Sequence, residues 1–363
     1  MKALTQKYNY MKIADQLIVN LRTQHRPGDM LPSESQLSKE FNVTRTTIRR
    51  ALDVLEEQDL VQRYHRQGTV VANPLQRGEF AIVIRPALMK AGASPYYREA
   101  AALLAGQICT CNNNAKWSAK LHLGQHTDSG QSFPATVDLL EPDVVKKLRG
   151  VFTFHSLYQL GESLVQKNIP VVMLGNGSEK YGATIVPDRE RFYREASHHL
   201  RMAGCKTVGF IWNHMDRPLK PEERTDIVFA KCAIDAGLCV EEKWMPATLG
   251  DITESKGYDL FMKFWEEQST RPDGIVIDDD VLTSGVLRAI LHKQIRLPEQ
   301  IRLVSHANKG AELPYHCSVT RYEFDISDIV NAAVDAMVKL VNGQGLECNR
   351  ILLPGKLVKG STT

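Results

Sequence analysis

Leu31-Pro32-Ser33-Glu34-Ser35-Gln36-Leu37, followed by Val43-Thr44-Arg45-Thr46-Thr47-Ile48-Arg49-Arg50-Ala51-Leu52, decides how the N-terminal part of this chain folds. Ser33 is placed to accept the first free N–H groups of a helix. Gln36, three residues on, completes a capping box, and Pro32 keeps the chain from being helical any earlier. The spacing predicts a first helix to about Phe41 and a turn at Asn42-Val43. A longer helix follows, capped by Thr44, with Ile48, Ala51, Leu52 and Leu55 on one stripe. Two short helices joined by a tight turn make a helix-turn-helix.

The apolar stripe leaves Arg45, Thr46, Arg49 and Arg50 on the opposite side, followed by Asp53, Glu56 and Glu57. The polar face is therefore basic only in its first two turns, and phosphates favour only that half. A recognition helix inserts in this way, with its N-terminal residues at the base edges. Alone, the pattern fits equally an amphipathic helix with a solvated charged face; the surroundings decide between them.

With 363 residues, 43% hydrophobic and 24% charged, the chain suits two or three soluble domains with ample core material. No window approaches 18 consecutive apolar residues, and the first eight residues lack the apolar stretch of a signal peptide, so a cytoplasmic location without membrane contact is expected. The seven cysteines have no zinc-type spacing; Cys109 and Cys111 are the only close pair, and buried free thiols are the favoured reading. The net charge of +3 is uneven. Residues 1–78 hold 12 Lys plus Arg against 8 Asp plus Glu, and residues 79–363 hold 33 against 34. The positive charge thus sits with the helix-turn-helix, as polyanion binding requires.

Before the capping box, Ile13, Leu17, Ile18 and Leu21 predict a helix over 8–24 that packs under the other two, and Pro27-Gly28-Asp29 makes a turn. After the third helix, residues 60–63 and 69–71 read as strands around a tip carrying His65 and Arg66, with Gly68 suited to the turn. Such a hairpin is a wing, whose basic tip suits a narrow minor groove. Residues 73–79 read as a linker, which divides the chain into an N-terminal domain at 1–72 and a C-terminal one at 80–363.

From Phe80 onward, apolar runs at 80–84, 117–123, 151–154, 170–174, 207–212, 274–277 and 301–305 alternate with helical stretches at 97–109, 156–167, 189–203, 223–236, 255–268 and 283–293. Alternation of this kind implies an α/β fold, with parallel sheets covered on both faces and ligands beyond the strands' carboxyl ends. Residues 80–363 exceed one sheet of ordinary size, so two lobes are expected. The serine-hydrolase elbow, the Walker phosphate loop and the dinucleotide glycine fingerprint are all absent, and no enzyme is expected. Asp278-Asp279-Asp280 are three consecutive carboxylates that cannot all face one ion, so capping and ligand hydrogen bonds are favoured over metal; His198-His199 reads as surface. Neither a metal nor a cofactor is expected.

Tyr10, Lys12-Ile13-Ala14, Pro27-Gly28-Asp29, Leu31-Pro32-Ser33-Glu34, Leu37, Val43 through Leu52, Leu55 and Gly68-Thr69-Val70-Val71 resemble the winged helix-turn-helix of the GntR family of bacterial transcription regulators. The resemblance implies that Arg45, Thr46 and Arg49 touch operator DNA from the helix and His65 and Gly68 from the wing. The full candidate set adds Ser33, Ser35, Thr44, Thr47, Arg50 and Arg66. Many members carry Arg after Pro-Ser-Glu, where this chain has Ser35.

A second set resembles the sugar-sensing domain of the LacI/GalR regulators, which has the two-lobed periplasmic-binding-protein fold. It comprises Ile169-Pro170-Val171-Val172, Val186-Pro187-Asp188, Ala203-Gly204 through Phe210, Ala236-Gly237-Leu238, Arg271-Pro272-Asp273-Gly274, Leu297-Pro298-Glu299 through Ser305, and Leu353-Pro354-Gly355. This implies an effector between the lobes, with Tyr96, Tyr97, Asn176, Asp188, Trp212, Arg224, Asp279, Asp280 and Asn308 as candidate contacts. Their chemistry suits a sugar, with Asp, Asn and Arg on hydroxyls and aromatic rings on the apolar face. Relatives often place a ligand-binding Asp where this chain has Ala307, and the LacI hinge helix is replaced by the wing and linker. The expected protein is a homodimeric repressor on a palindromic operator, controlled by a carbohydrate effector. Two alternatives are a regulator whose C-terminal domain only dimerises, and a cytosolic sugar-binding protein or enzyme with a partner-docking N-terminal module.

Overall fold

The computed structural model describes residues 2–363 apart from 26–27, 58–59, 65–67, 73–76, 91, 112–115, 125–137, 155–157, 176–180 and 215–223. At the N-terminus, helices α1 (Lys2–Gln24), α2 (Glu34–Glu40) and α3 (Arg45–Glu57) precede an antiparallel hairpin, β1 (Val61–Tyr64) with β2 (Gly68–Val71). Leu17, Leu21, Leu37, Ile48, Leu52, Leu55 and Val61 form one buried cluster, so the stripe on α3 faces the other two helices as its spacing requires. Asn42 takes a positive φ of 51° between α2 and α3, a conformation that Asn tolerates better than other side chains. The Leu31 N–H donates to the Thr69 carbonyl at 2.8 Å and the Val71 N–H to the Asp29 carbonyl at 2.8 Å. Residues 29–31 therefore add a third rung to the wing, a pairing that the turn signal at Gly28 did not announce.

The rest of the chain forms two six-stranded sheets. The first has the order β13-β7-β6-β5-β3-β4, with β3 (Arg77–Ile84), β4 (Lys116–Leu123), β5 (Leu148–Thr153), β6 (Val171–Leu174), β7 (Ala183–Pro187) and β13 (Arg350–Leu353), all parallel. The second has the order β14-β12-β11-β10-β8-β9, with β8 (Val208–His214), β9 (Ala247–Leu249), β10 (Gly274–Ile277), β11 (Arg302–Asn308), β12 (Thr320–Phe324) and an antiparallel edge, β14 (Lys356–Val358). Even residues of β3 (Phe80, Ile82, Ile84) pack under α4 (Tyr96–Thr110) and α11 (Ile326–Val341); odd ones (Ala81, Val83) pack with α6 (Tyr158–Gln166). In the second sheet, α7 (Arg189–Met202) and α8 (Thr225–Asp235) cover one face, and α9 (Glu254–Glu267) and α10 (Asp280–His292) the other. Alternate residues of a strand point to opposite faces, so central strands such as β6 and β10 are buried on both, while the edge strands β9, β13 and β14 keep exposed residues.

The chain passes between the sheets three times: from β7 into α7, from β12 into α11, and from β13 into β14. Three neighbouring crossovers make a hinge, and two lobes on one hinge leave a cleft.

Several expectations shift. Arg77, Gly78 and Glu79, read as linker, belong to β3, where they pair with Lys116, Trp117 and Ser118 of β4; a side chain at Gly78 would meet Arg149 on β5, so that glycine marks close strand contact, not a flexible joint. The helix expected from 283 starts at Asp280. The strands β7, β9, β12, β13 and β14 and the helices α5 (Pro142–Lys147) and α11 were not anticipated.

Candidate DNA-binding face and inter-lobe cleft

The capping box closes as its sequence demands. The Gln36 N–H donates to Ser33 Oγ at 3.3 Å, and the Ser33 N–H donates to Gln36 Oε1 at 2.8 Å. On α3 the Thr47 N–H donates to Thr44 Oγ1 at 3.3 Å, and the two hydroxyls share a hydrogen bond at 2.8 Å. Thr47 is buried, so its side chain is engaged in the cap. Thr46 and Arg50 are exposed. Arg45 donates to Ser35 Oγ at 2.8 Å, so the serine standing where relatives carry Arg steadies the first arginine of the recognition helix. Arg49 donates twice to Glu34, at 2.8 and 3.1 Å, and this contact holds the Glu34 carboxyl below its ordinary range. Arg63 on β1 bridges Asp53 and Glu56, which fixes the wing to the acidic end of α3. Gly68 has φ +112°, open to glycine and strained for other residues. His65 and Arg66 lie outside the described residues.

Arg49→Ala is expected to weaken operator binding about 10- to 100-fold, the roughly 1–3 kcal/mol of a good arginine contact in a groove. Gel-shift titration checks it, and wild-type affinity would remove Arg49 from the interface.

In the cleft, Arg85 follows β3, Tyr96 and Tyr97 open α4, and Phe154 follows β5. The three rings pack edge-on with centroids 5.2 to 6.3 Å apart. Burial pushes the Tyr97 hydroxyl up; the charges of Asp279, Arg85, Arg189 and Asp280 also act on it. Arg85 belongs to the first lobe and the other three to the second, so the carboxyl ends of the two sheets face one another across Tyr97.

On the second lobe, Arg189 at the start of α7 pairs with Asp278 after β10, and Tyr193 donates to the same carboxylate at 2.8 Å. Burial pushes Asp278 up and Arg189 pulls it back. Asp279 accepts from the Val281 and Leu282 N–H groups at 2.8 and 3.0 Å, capping α10. Asp280 Oδ2 accepts from Asn308 Nδ2 at 2.8 Å; Asp280 Oδ1 is buried with no partner among the described residues. Burial raises both Asp279 and Asp280, and the Asp280 charge raises Asp279 further. His306, beside Ala307 on β11, is pushed down to about 3 by burial and stays neutral.

Among the sequence candidates the structure thus brings together Tyr96, Tyr97, Asp279, Asp280 and Asn308. Asp188 accepts from the Arg191 N–H at 3.0 Å and caps α7 at a crossover. Trp212 is buried beside Phe210 on β8, with Nε1 unpartnered among the described residues. Arg224 is half-exposed and turned to Asp226, at 2.5 Å, on the N-terminal end of α8. Asn176 lies outside the described residues. Reading the sequence missed Arg85, Arg189 and Asp278 as members of the cleft. The signal was their position, directly after a strand or directly before a helix.

Residues 9–71 match the bacterial regulatory proteins of the gntR family, and residues 197–363 match the periplasmic binding protein-like domain. The arabinose metabolism transcriptional repressor of Halalkalibacterium halodurans is 24% identical over 83% of this chain and 80% of that protein. The mannosyl-D-glycerate transport/metabolism system repressor MngR of Escherichia coli is 43% identical, over 17% of this chain and 26% of that protein. Among solved structures, the transcription regulator CcpA of Lactococcus lactis superposes with a TM-score of 0.62 at 18% identity, over 79% of this chain and all of that one. With a gntR-type helix-turn-helix at residues 9–71 and a periplasmic-binding-protein-like domain at 197–363, the chain is a DNA-binding transcription regulator, not an enzyme.

Proposed function

We propose that this regulator is a homodimeric, cytoplasmic repressor released from a palindromic operator when a sugar or sugar derivative occupies the inter-lobe cleft. One observation carries the reading. Among the described residues, buried polar atoms lie without protein partners at the carboxyl ends of strands from both lobes: Arg85 Nε after β3, Trp212 Nε1 on β8, Asp280 Oδ1 after β10 and His306 Nδ1 on β11. Buried polar groups are ordinarily satisfied, and a cluster left open where two lobes meet suits a polyhydroxylated ligand. The tyrosine rings supply an apolar wall. The relative named for arabinose metabolism, matched over 83% of this chain, supports the same ligand class. Closure on a ligand would favour one arrangement of the three crossovers, and a dimer transmits that preference to two winged domains whose spacing must match the half-sites.

The test is a gel shift with DNA from upstream of the regulator's own gene, titrated with a panel of sugars. Release by one of them supports the proposal; unchanged binding across the panel, with no rise in melting temperature, overturns it.

Asp280 links the site to stability. A carboxyl whose folded pKa lies above its unfolded value makes the folded state bind protons more tightly, so stability is lost as pH rises through the folded value. Asp280→Asn is therefore expected to raise the melting temperature of the empty protein at pH 7.5 by roughly 2–4 °C, the shift that about 1 kcal/mol gives in a domain of this size. The gap should close by pH 4, where the parent carboxyl is also neutral, and sugar response should weaken. Calorimetry at the two pH values checks it; equal melting temperatures at pH 7.5 would contradict it.

A further inference from the structure

We infer that the effector carries an anionic group, a carboxylate or a phosphate, which Arg85 receives, while its hydroxyls face Asp279, Asp280 and Asn308. This rests on the cleft being the effector site and narrows what fills it.

The cleft is electrically divided. Among the described residues on the second lobe's side of the cleft, Arg189 is held by Asp278, Asp279 caps α10, and Asp280 keeps one oxygen on Asn308. What Asp280 still offers is a buried acceptor, suited to a hydroxyl donor. On the first lobe the Arg85 side chain makes no hydrogen bond or ion pair among the described residues, and its Nε is shut away from solvent. A guanidinium presents donors and no acceptor, in a planar fork that matches carboxylate and phosphate oxygens two at a time.

Local structure explains why Arg85 stays open. It directly follows β3, and its carbonyl accepts the Leu88 N–H at 3.0 Å, opening the 3₁₀ turn Pro86–Met89. The backbone there is committed to the turn, and the Arg85 charge acts on the Tyr97 hydroxyl together with those of Asp279 and Asp280. The rings of Tyr96, Tyr97 and Phe154 form the apolar wall at this point. A neutral sugar would satisfy the acidic end and leave the cation unpaired. A sugar acid or sugar phosphate satisfies both ends.

The experiment uses the full chain and matched ligands: D-glucose against D-glucuronate and D-glucose 6-phosphate, D-ribose against D-ribose 5-phosphate, and L-arabinose against L-arabinonate. Inorganic phosphate and acetate serve as fragments. Affinities are read from melting-temperature shifts and from operator release, for the parent, Arg85→Gln and Arg85→Lys. The acidic member of a pair is expected to bind at least about tenfold more tightly than its neutral parent, with the ratio falling as salt rises. The ratio should drop to about one in Arg85→Gln and be partly kept in Arg85→Lys, with operator affinity unchanged in both. Which acidic member wins separates carboxylate from phosphate. Neutral sugars that bind as well as their acidic partners, or a preference that survives Arg85→Gln, would overturn the inference while leaving the cleft as the effector site. If no ligand shifts the melting temperature of parent or Asp280→Asn, the cleft reading falls and this inference falls with it.

Discussion

Leu52→Ala is expected to abolish operator binding while leaving the C-terminal body folded. Leu52 is fully buried on α3, in the cluster that joins α1, α2, α3 and β1. Removing the side chain costs about 2–5 kcal/mol in transfer energy and cavity. The module that bears the loss is short: the gntR-family match spans residues 9–71. Domains of that size bury a smaller share of their surface and have only a few kcal/mol to lose. The same deletion in one of the four clusters of the body would draw on a much larger core. Calorimetry of the full chain should show the transition of the N-terminal domain lost or greatly lowered, the main transition in place and no operator complex at micromolar protein. Operator affinity within a factor of three of the parent would show that α3 does not depend on this packing.

The winged domain was legible because its signals are local. Ser33 with Gln36, Thr44, and the stripe of Ile48, Ala51, Leu52 and Leu55 each fix structure within four residues, and each reappears as a cap or a buried side chain. The body was legible where strands are long and apolar, as at Phe80–Ile84 and Gly274–Ile277, and less so where pairing is decided at a distance. β12 alternates buried and half-buried residues through Thr320-Arg321-Tyr322-Glu323-Phe324, with three polar side chains among its five. Its neighbour β11 and the edge strand β14 make it a strand. The helix α11 did carry its own signal, Asp325 capping before Ile326, Ile329, Val330, Ala333 and Met337. Its place on the first sheet, after a strand of the second, depends on a crossover that no local pattern encodes. The cleft divided along the same line. Asp279 and Asp280 stood out as a run, and Tyr96 and Tyr97 as a pair. Arg85 gained its role only when the fold set it across Tyr97 from carboxylates almost two hundred residues away in sequence.

That juxtaposition has a support beneath it, and removing the support should have the largest effect on the body. Asp278→Ala is expected to lower the stability of the C-terminal domain by about 1–3 kcal/mol, because it leaves the partly buried Arg189 guanidinium without its carboxylate. Arg189 opens α7 immediately after the first crossover, and its carboxylate partner immediately precedes Asp279 and Asp280. The ion pair therefore ties the hinge to the wall that bears the ligand's acceptors. Burial disfavours the Arg189 charge, and the Asp278 carboxylate with the Tyr193 hydroxyl more than offsets this. At this domain size the loss amounts to a fall in melting temperature of roughly 5 °C. Arg189→Met alone should cost less, because a buried carboxyl can take up a proton and keep its bond to Tyr193, whereas a guanidinium cannot shed one. The double variant Asp278→Leu with Arg189→Met should recover most of the stability, since a buried pair replaced by apolar groups of similar size is often neutral. It should still respond poorly to effector, because the crossover is no longer tied to Asp279 and Asp280. A double variant as unstable as Asp278→Ala would locate the cost in packing at β10 instead of in the stranded charge. One with full stability and an unchanged effector response would show that the hinge does not act through this pair.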